Sequence, residues 1–247
     1  MKVELKPHTF FEGVKARRHS PDKVKVIHEW LTKMQAQGVV RKSSSTTTSP
    51  LLVVQDPSGK WRVTQDVTVL NNMMRTIAGT IPDIKCLLEK FKGMNYLSCL
   101  DLIAAYHQLP AHEHMRELWA FSTPFGVYEY CNRLPMGDKN VCLWFNDQML
   151  KMMGGLDNVA VYFDDIPVGA KTIDEMLSTL RSVLLRLREH DVKVSATKLR
   201  IGFSMLDILG YEVTADGYMP RRRNVELMLA TVYLNKLNYI VHSTYCP

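Results

Sequence analysis

Residues 159–168 read VAVYFDDIPV, two apolar runs that meet at a pair of aspartates, Asp164 and Asp165. Short apolar runs on either side of polar residues are typical of a β-hairpin, and the pattern places both carboxylates at its tip. Adjacent carboxylates beside apolar sequence are costly unless a cation compensates them. The stretch therefore predicts a strand-turn-strand element with a candidate metal site, although a hydrophilic turn without any ligand is the commoner reason for such a pair.

A third aspartate ends another apolar run. Asp101 follows YLSCL at 96–100, which predicts a strand that stops at this carboxylate. Mg²⁺ prefers oxygen ligands, and three carboxylates on neighbouring strands can hold two metal ions about 4 Å apart for phosphoryl or nucleotidyl transfer. Sequence separation does not say whether Asp101 lies near Asp164 and Asp165, so both interpretations stay open at this point.

The sequence around these acids predicts an α+β fold, because strands and helices are interleaved without strict alternation. Pro21 and Gly38 bracket a predicted helix, and residues 139–153 have helical spacing. Thr172 and Glu175 have the spacing of a capping box before a further helix. The apolar stripe predicted for that last helix consists of Ile173, Met176, Leu177, Leu180, Leu184 and Leu187.

Composition bounds the class of protein. The chain has 247 residues, is 46% hydrophobic, and carries 31 basic against 25 acidic side chains, a formal charge of +6. These values exclude a disordered or collagen-like chain, and the charge is a weak indication of a polyanionic partner. Residues 1–10 lack the continuous apolar core of a signal peptide, and no apolar run of about 18 residues occurs. Its five cysteines lack C-x-x-C spacing, so we expect an intracellular protein, cytoplasmic or nuclear, without a membrane partner.

The acidic motifs resemble those of a known family. Residues 162–165, YFDD, resemble the Y-x-D-D box of reverse transcriptases, and residues 100–108 resemble the L-D-L-x-x-G-Y-H-Q segment of gypsy-type long-terminal-repeat retroelements. Further blocks follow in the family's order, and together the resemblance covers roughly residues 5–225. These blocks lie at 38–43, 49–50, 56–62, 70–71, 123–130, 134–137 and 209–211.

The resemblance implies the fingers and palm of a right-hand polymerase, with an antiparallel palm sheet backed by helices. Residues 1–223 would form this reverse transcriptase domain, and 224–247 would be a truncated or divergent tail. The thumb would then be largely missing. The implied activity is RNA-directed DNA synthesis from a primer on an RNA or DNA template, with deoxynucleoside triphosphates as substrates.

The resemblance also implies roles for individual residues. Asp101, Asp164 and Asp165 would be catalytic and, with the backbone carbonyl of Leu102, would hold two Mg²⁺ ions, for which Mn²⁺ can substitute. Lys198 is a candidate proton donor to the leaving group. Residues implied to bind the incoming nucleotide are Lys60, Arg62, Ala104, Ala105, Tyr106, Met136 and Gly137. Tyr106 would exclude a 2′-hydroxyl by bulk, and Leu209, Gly210 and Tyr211 would form the primer grip.

Several positions depart from the family pattern. Thr68 replaces an arginine that normally braces the fingers, and Met136 replaces phenylalanine. Pro167 lies in a predicted strand two residues beyond Asp165, where a missing donor could displace that carboxylate. In the 139–153 helix, Cys142 stands at the family's usual proline. Leu143 and Trp144 are larger than the residues that the family has at those positions. A catalytically inactive retroelement remnant that at most binds nucleic acid is therefore the alternative function.

Overall fold

The structure is a computed structural model that describes residues 4–9, 13–56, 58–79, 81–131, 133–222 and 226, the side chain of residue 114 excepted. The described residues of 1–81 and 102–152 form one compact unit, unit 1. Those of 82–101 and of 153 onward form a second, unit 2. The predicted tail at 224–247 lies outside the described residues, apart from Glu226. In the part of the chain so described, no helix is both long and apolar enough to cross a bilayer.

Helices and strands alternate irregularly along the chain. The α-helices are α1 (Pro21–Ala36), α2 (Thr68–Met73), α3 (Ile84–Glu89), α4 (Lys139–Met153) and α5 (Ile173–Glu189). The strands are β1 (Val40–Lys42), β2 (Ser49–Gln55), β3 (Trp61–Gln65), β4 (Tyr96–Asp101), β5 (Phe121–Thr123), β6 (Gly126–Tyr130), β7 (Asp165–Ala170), β8 (Arg200–Phe203), β9 (Met205–Ile208), β10 (Tyr211–Thr214) and β11 (Gly217–Pro220). Short 3₁₀ helices span Ala105–Gln108 and Glu113–Met115.

Unit 1 is built on a sheet of order β1-β6-β5-β2-β3, antiparallel except where β2 runs parallel to β5. The predicted β2–β3 hairpin is confirmed, and its turn is held by Asp56, whose carboxylate accepts from the backbone N–H groups of Ser58 and Lys60 at 3.0 Å. Such Asx bonding explains why the turn forms at this aspartate. Gly59 has φ of +82°, which glycine adopts without strain.

Two helices of unit 1, α1 and α4, follow the predicted boundaries closely, whereas α2 was not predicted. α1 begins at Pro21, buries Ile27 and Leu31, and is followed by Gly38 with φ of +66°. α4 spans the predicted 139–153 and is capped by Asp138, whose carboxylate accepts from the backbone N–H of Asn140 at 2.8 Å. The other oxygen of Asp138 accepts from the indole N–H of buried Trp119 at 2.7 Å, which ties the start of α4 to the core.

Unit 2 contains two three-stranded antiparallel sheets, of order β7-β4-β8 and β11-β10-β9. A shared apolar core includes Phe91, Leu97 and Cys99 together with Leu206 and Ile208 of β9. α5 covers β7, and the Met176 sulfur lies 3.2 Å from the Ser98 hydroxyl. The unit therefore places helix on one face of the β7-β4-β8 sheet, since Ser98 and Cys99 alternate between its two faces.

The cap of α5 is confirmed, while half of its predicted stripe is wrong. The Thr172 hydroxyl accepts from the Glu175 N–H at 3.2 Å, as a capping box requires. The residues that α5 buries are Met176, Leu180, Val183 and Leu187. Ile173, Leu177 and Leu184 are instead about half exposed, because the buried face turns away from them toward Val183.

Candidate active site

Strand pairing brings two of the predicted acids together. β4 and β7 are antiparallel, and their register sets Asp101 directly opposite Asp165. Residues opposed in this way project from the same face of a sheet. Asp165 also exchanges two backbone hydrogen bonds with Tyr162, of 3.0 and 3.1 Å. Phe163, with φ of +53°, and Asp164 therefore form the two-residue turn, one residue earlier than the predicted Asp164-Asp165 tip, and Asp165 begins β7.

Pro167 leaves Asp165 in register with Asp101, contrary to the expected displacement. The Pro167 carbonyl accepts from the Ala160 N–H at 2.9 Å, and Gly169 donates to the Asn158 carbonyl at 2.9 Å. Odd-numbered residues of β7 thus direct their backbone polar groups toward residues 158–162, and even-numbered residues direct theirs toward β4. A backbone N–H at position 167 would point toward the Ala160 carbonyl and away from β4. Its absence in proline therefore leaves the hydrogen bonds between β4 and β7 unaffected.

Lys198 meets the first of these acids. Its ammonium nitrogen lies 2.9 and 3.0 Å from the two carboxylate oxygens of Asp101. The Asp101 carbonyl accepts from the Ser195 N–H at 2.8 Å, which holds the segment carrying Lys198 against the end of β4. The structure therefore brings the candidate proton donor to the candidate metal ligand.

Asp165 lies in an electrostatically unfavourable place. Burial raises the pKa of its carboxyl group, and the charges of Asp164 and Asp101 raise it further, against the opposing charges of Arg200 and Lys198. Burial comes first and like charge second among the causes, so a cation bound beside Asp165 would offset both.

Two neighbours of Asp165 were missed in the sequence. The Cys99 sulfur lies 3.9 Å from an Asp165 carboxylate oxygen, and burial raises the pKa of this thiol to about 12, so it stays protonated and donates. Arg200 pairs with Cys99 across β4 and β8, and its guanidinium donates to the Asp207 carbonyl at 2.8 Å. The alternation of side chains along a strand could have indicated Cys99. It lies two residues before Asp101 on β4, so both side chains project from the same face of the sheet.

The carboxylate oxygens of Asp101, Asp164 and Asp165 are suitable ligands for a hard divalent cation. In this structure, however, the Asp101 carboxylate is paired with the Lys198 ammonium. Carboxylate oxygens are the ligands that Mg²⁺ prefers, and the raised pKa of Asp165 indicates charge that a cation would offset. Across the described ranges, no group of three or more His, Cys, Asp or Glu side chains is placed to hold a metal ion. Both oxygens of Asp101 are taken by Lys198. A cation bound at Asp101 would therefore compete with the Lys198 ammonium for these oxygens.

The predicted nucleotide contacts belong to unit 1. Lys60, just before β3, and Arg62, on β3, are exposed, and the Arg62 guanidinium lies 3.3 Å from the Asp56 carboxylate. Ala104, with φ of +45°, precedes the 3₁₀ helix that carries Ala105 and Tyr106. The Tyr106 ring packs on Phe145, with centroids 5.0 Å apart. Whether these residues face the aspartates stays a prediction.

Two further members of that set lie in the loop before α4. Met136 is exposed, and Gly137 has φ of +99° with its carbonyl accepting from the Asn71 side chain at 2.9 Å. A β-carbon on Gly137 would come within 3.3 Å of Val67, and the positive φ disfavours other residues here as well. Asn71 therefore positions the loop, which gives the Leu70-Asn71 block a structural reason.

The other departures are accommodated locally. The Asp66 carboxylate accepts from the N–H and hydroxyl of Thr68 and pairs with Arg17, so an arginine from the N-terminal segment supplies a cation near the position of the missing one. Leu143 packs against Gly79, where a side chain on residue 79 would lie 3.1 Å from the Leu143 β-carbon. The added bulk of α4 is thus matched by a small neighbour.

The predicted primer-grip residues lie at the β9–β10 turn. Leu209 and Gly210 both have positive φ, +51° and +83°, as the two central residues of a type I′ turn do. Tyr211 begins β10 and meets the Tyr218 ring edge-on, with centroids 5.7 Å apart. The turn is well defined, and its contact with a primer stays a prediction.

Comparisons with known proteins agree with the motifs. Residues 53–213 match the family model described as reverse transcriptase (RNA-dependent DNA polymerase). The chain is 30% identical over 211 residues to the retrovirus-related Pol polyprotein from transposon 297 of Drosophila melanogaster, covering 83% of this chain and 20% of that protein. It is 24% identical over 229 residues to the transposon Tf2-3 polyprotein of Schizosaccharomyces pombe, covering 92% and 17%. It thus spans about a fifth of the length of these relatives.

Solved structures with the same fold include the foamy viral protease-reverse transcriptase in complex with an RNA/DNA hybrid. The TM-score is 0.81 at 22% sequence identity, over 87% of this chain and 29% of that one. The same viral protein in complex with double-stranded DNA gives a TM-score of 0.80 at 23% identity, over 90% and 48%. These likenesses confirm the predicted α+β fold with its antiparallel sheets.

Proposed function

The chain belongs to the reverse transcriptase family, and we propose that it is an RNA-directed DNA polymerase domain that extends a primer on an RNA or DNA template. Residues 1–223 are assigned to its fingers and palm, and 224–247 to a divergent tail. Its setting is the cytoplasm or nucleus, and its substrates are deoxynucleoside triphosphates.

The observation that carries this proposal is the pairing of Asp101 with Asp165, with Asp164 in the adjacent turn. Two strands that serve only as scaffold gain nothing from opposed carboxylates, since like charges directly opposite destabilise a sheet. Such an arrangement is retained where charge on a bound ligand or cation offsets the repulsion.

Asp101, Asp164 and Asp165 are proposed to hold two Mg²⁺ ions, or Mn²⁺ in their place, with the Leu102 carbonyl as a further ligand. Bound there, the ions supply charge neutralisation and activation of the primer hydroxyl. Cys99 donates toward Asp165 and so orients that carboxylate. Lys198, released from Asp101, is proposed to give a proton to the departing pyrophosphate.

The nucleotide site is proposed to form from two groups of unit 1 residues. Lys60 and Arg62 contact the triphosphate, for which an exposed guanidinium offers two parallel donors. The backbone amides of Ala104 and Ala105 face the phosphates, and Tyr106 lies beneath the sugar. Met136 and Gly137 border the nucleotide, and Leu209, Gly210 and Tyr211 hold the primer strand.

Primer extension tests the function directly. The protein is incubated with a DNA primer on an RNA template, the four deoxynucleoside triphosphates and Mg²⁺. We expect extension that Asp164→Asn reduces by at least about 100-fold, because removing one charge from the cluster weakens cation binding. Asp157→Asn, which alters an exposed aspartate of the same unit, should leave the rate within twofold. Equal rates for Asp164→Asn and the unaltered protein would contradict the assignment.

The alternative is an inactive remnant that binds nucleic acid at most. It is favoured by the Lys198–Asp101 pair, which occupies both oxygens of one candidate ligand. Folded protein that binds primer–template with a steep salt dependence but incorporates no nucleotide would support the remnant.

A further inference from the structure

The Asp56 carboxylate connects the turn of the β2–β3 hairpin to Arg62. One oxygen, Oδ1, accepts from the backbone N–H groups of Ser58 and Lys60 at 3.0 Å and from the Ser58 hydroxyl at 2.6 Å. The other, Oδ2, accepts from the Arg62 Nε–H at 3.3 Å. The hydrogen bonds from the Ser58 hydroxyl, the Lys60 N–H and the Arg62 side chain lower the pKa of this carboxyl group, so it is charged at neutral pH. The two oxygens therefore have separate tasks, one in the turn and one at the guanidinium.

Strand register explains why this contact forms. Gln55 pairs with Trp61, and the Asp56 N–H bonds to the Lys60 carbonyl at 2.9 Å, so Asp56 lies opposite Lys60. Arg62 is two residues further along the chain and is thus a diagonal neighbour of Asp56, within reach of a long side chain. The Asp56 side chain is 14% exposed, and that of Arg62 is 70% exposed. A well-anchored carboxylate therefore holds the inner end of a guanidinium whose outer end reaches solvent.

The contact leaves the outer end of the guanidinium open. A guanidinium has five N–H donors, one at Nε and four on the two terminal nitrogens. Within the described ranges, the terminal nitrogens of Arg62 have no hydrogen-bond partner, and its ion pair with Asp56 is made through Nε. The terminal nitrogens form the fork that can hold two phosphate oxygens. Because the bond at Nε restricts the guanidinium, this fork is oriented before a phosphate arrives.

We propose that Asp56 is a positioning residue for the incoming nucleotide, because it holds Arg62 at Nε and so presents the terminal nitrogens to the triphosphate. This inference rests on the proposed function, in which Arg62 contacts the triphosphate. A side chain that is ordered in advance loses less conformational freedom on binding, which raises affinity. A carboxylate that acted through its charge alone would repel the triphosphate. The positioning effect and the charge effect of Asp56 therefore differ in sign.

Asp56→Asn separates the two tasks of the carboxylate. Its amide oxygen still accepts from the Ser58 and Lys60 N–H groups, so the turn is kept. Its amide nitrogen takes the place of Oδ2 and cannot accept from Arg62. Ser58→Ala is the matched control, because it removes one hydrogen bond of the turn and leaves the guanidinium contact in place.

Steady-state kinetics of single dATP incorporation on a primer–template measure the effect. Asp56→Asn should raise KM for dATP about 2- to 5-fold, the range expected for loss of one exposed ion pair. The value of kcat should be unchanged, because Arg62 makes the same contact in the ground state and the transition state. Ser58→Ala should leave both constants unchanged. A KM that is unchanged or lower in Asp56→Asn would overturn the inference, and a lower value is the result expected from charge alone.

Arg62→Lys tests whether Asp56 acts through the guanidinium. Lysine keeps the positive charge but has neither the Nε donor nor the fork. In this background, Asp56→Asn should no longer raise KM, so the two substitutions together should cost less than the product of their separate effects. A fully multiplicative effect would overturn the positioning role.

Two measurements need no turnover. Calorimetric titration with dATP and Mg²⁺ uses protein bound to a primer–template whose primer lacks its 3′-hydroxyl, and Asp56→Asn should weaken dATP binding by the same factor as it raises KM. NMR of the Arg62 Nε–H should show faster exchange with solvent in Asp56→Asn, and equal exchange would refute the contact. If the unaltered protein binds dATP but extends no primer, the proposed function fails and the titration still decides the inference. Equal affinities, or no binding by the unaltered protein, would overturn the inference.

Discussion

Asp101 and Asp165 face each other across β4 and β7, and each is met by a different cation. Lys198 contacts Asp101 through both carboxylate oxygens, and Arg200 lies near Asp165 while its guanidinium bonds to the Asp207 carbonyl. Both cations come from the chain that leads into and forms β8. The acids and their counter-charges are therefore set by one three-stranded sheet.

Lys198→Gln separates cation binding from catalysis. With its partner removed, Asp101 should bind Mg²⁺ more readily, so the Mg²⁺ concentration for half-maximal extension should fall. The maximal rate should fall as well, by about 10²-fold, if Lys198 donates the proton. The measurement is primer extension across a Mg²⁺ titration. Lys171→Gln, at the opposite end of β7, serves as the control, and a lower rate with no change in Mg²⁺ requirement would argue against the pairing.

Arg200→Met should destabilise unit 2. The substitution leaves the Asp207 carbonyl without its charged donor and removes a cation near Asp165. A hydrogen bond to a charged group contributes about 1.5–3 kcal/mol, and the half-buried setting favours the lower end. We expect a decrease of about 1–2 kcal/mol in the free energy of unfolding, measured in urea. Arg200→Lys should recover part of it, and equal losses in both variants would indicate a packing effect alone.

Pro167→Val should be nearly neutral. Valine restores a backbone donor opposite the Ala160 carbonyl, which should raise the free energy of unfolding by about 1 kcal/mol. It also removes the restriction that proline imposes on the unfolded chain, which should lower the free energy of unfolding by about 0.4–1 kcal/mol. The two effects oppose each other, so the urea midpoint should change little and the extension rate should stay within twofold. A large gain in rate would mean that Pro167 disturbs Asp165 after all.

Asp138 makes stability depend on pH. Burial raises the pKa of its carboxyl group in the folded protein. An acid with a raised folded pKa stabilises most below its unfolded pKa, and this contribution is lost as pH rises through the folded value. The stability of Asp138→Asn relative to the unaltered protein should therefore increase with pH across the acidic range and then level off. Urea unfolding at several pH values measures this difference, and a stability of Asp138→Asn that falls relative to the unaltered protein as pH rises would contradict the assigned shift.

The elements that the sequence predicted well are those with a local cause. Pro21 and Gly38 bracket α1, and Thr172 caps α5, because each acts on backbone groups within a turn of itself. The 159–168 hairpin is likewise local, although its two-residue turn is Phe163-Asp164 and not the predicted Asp164-Asp165.

What sequence reasoning did not supply depends on pairing between distant segments. The opposition of Asp101 and Asp165 follows from strand register, which no local pattern fixes. The harmless position of Pro167 depends on which neighbour its backbone faces. Leu177 and Leu184 are exposed because α5 rests on β7 through a face that includes Val183.

The two-residue turn at Leu209 and Gly210 should tolerate some substitutions but not insertions or deletions. Two residues with positive φ join β9 to β10, so a substitution at either position changes local strain and, at Leu209, also packing against the unit 2 core. Deleting one of them would shift β10 by a residue and turn Val213 from the core toward water. Insertions and deletions here should therefore abolish folding of unit 2 in a library of random variants, while many substitutions of Leu209 by asparagine or glycine survive.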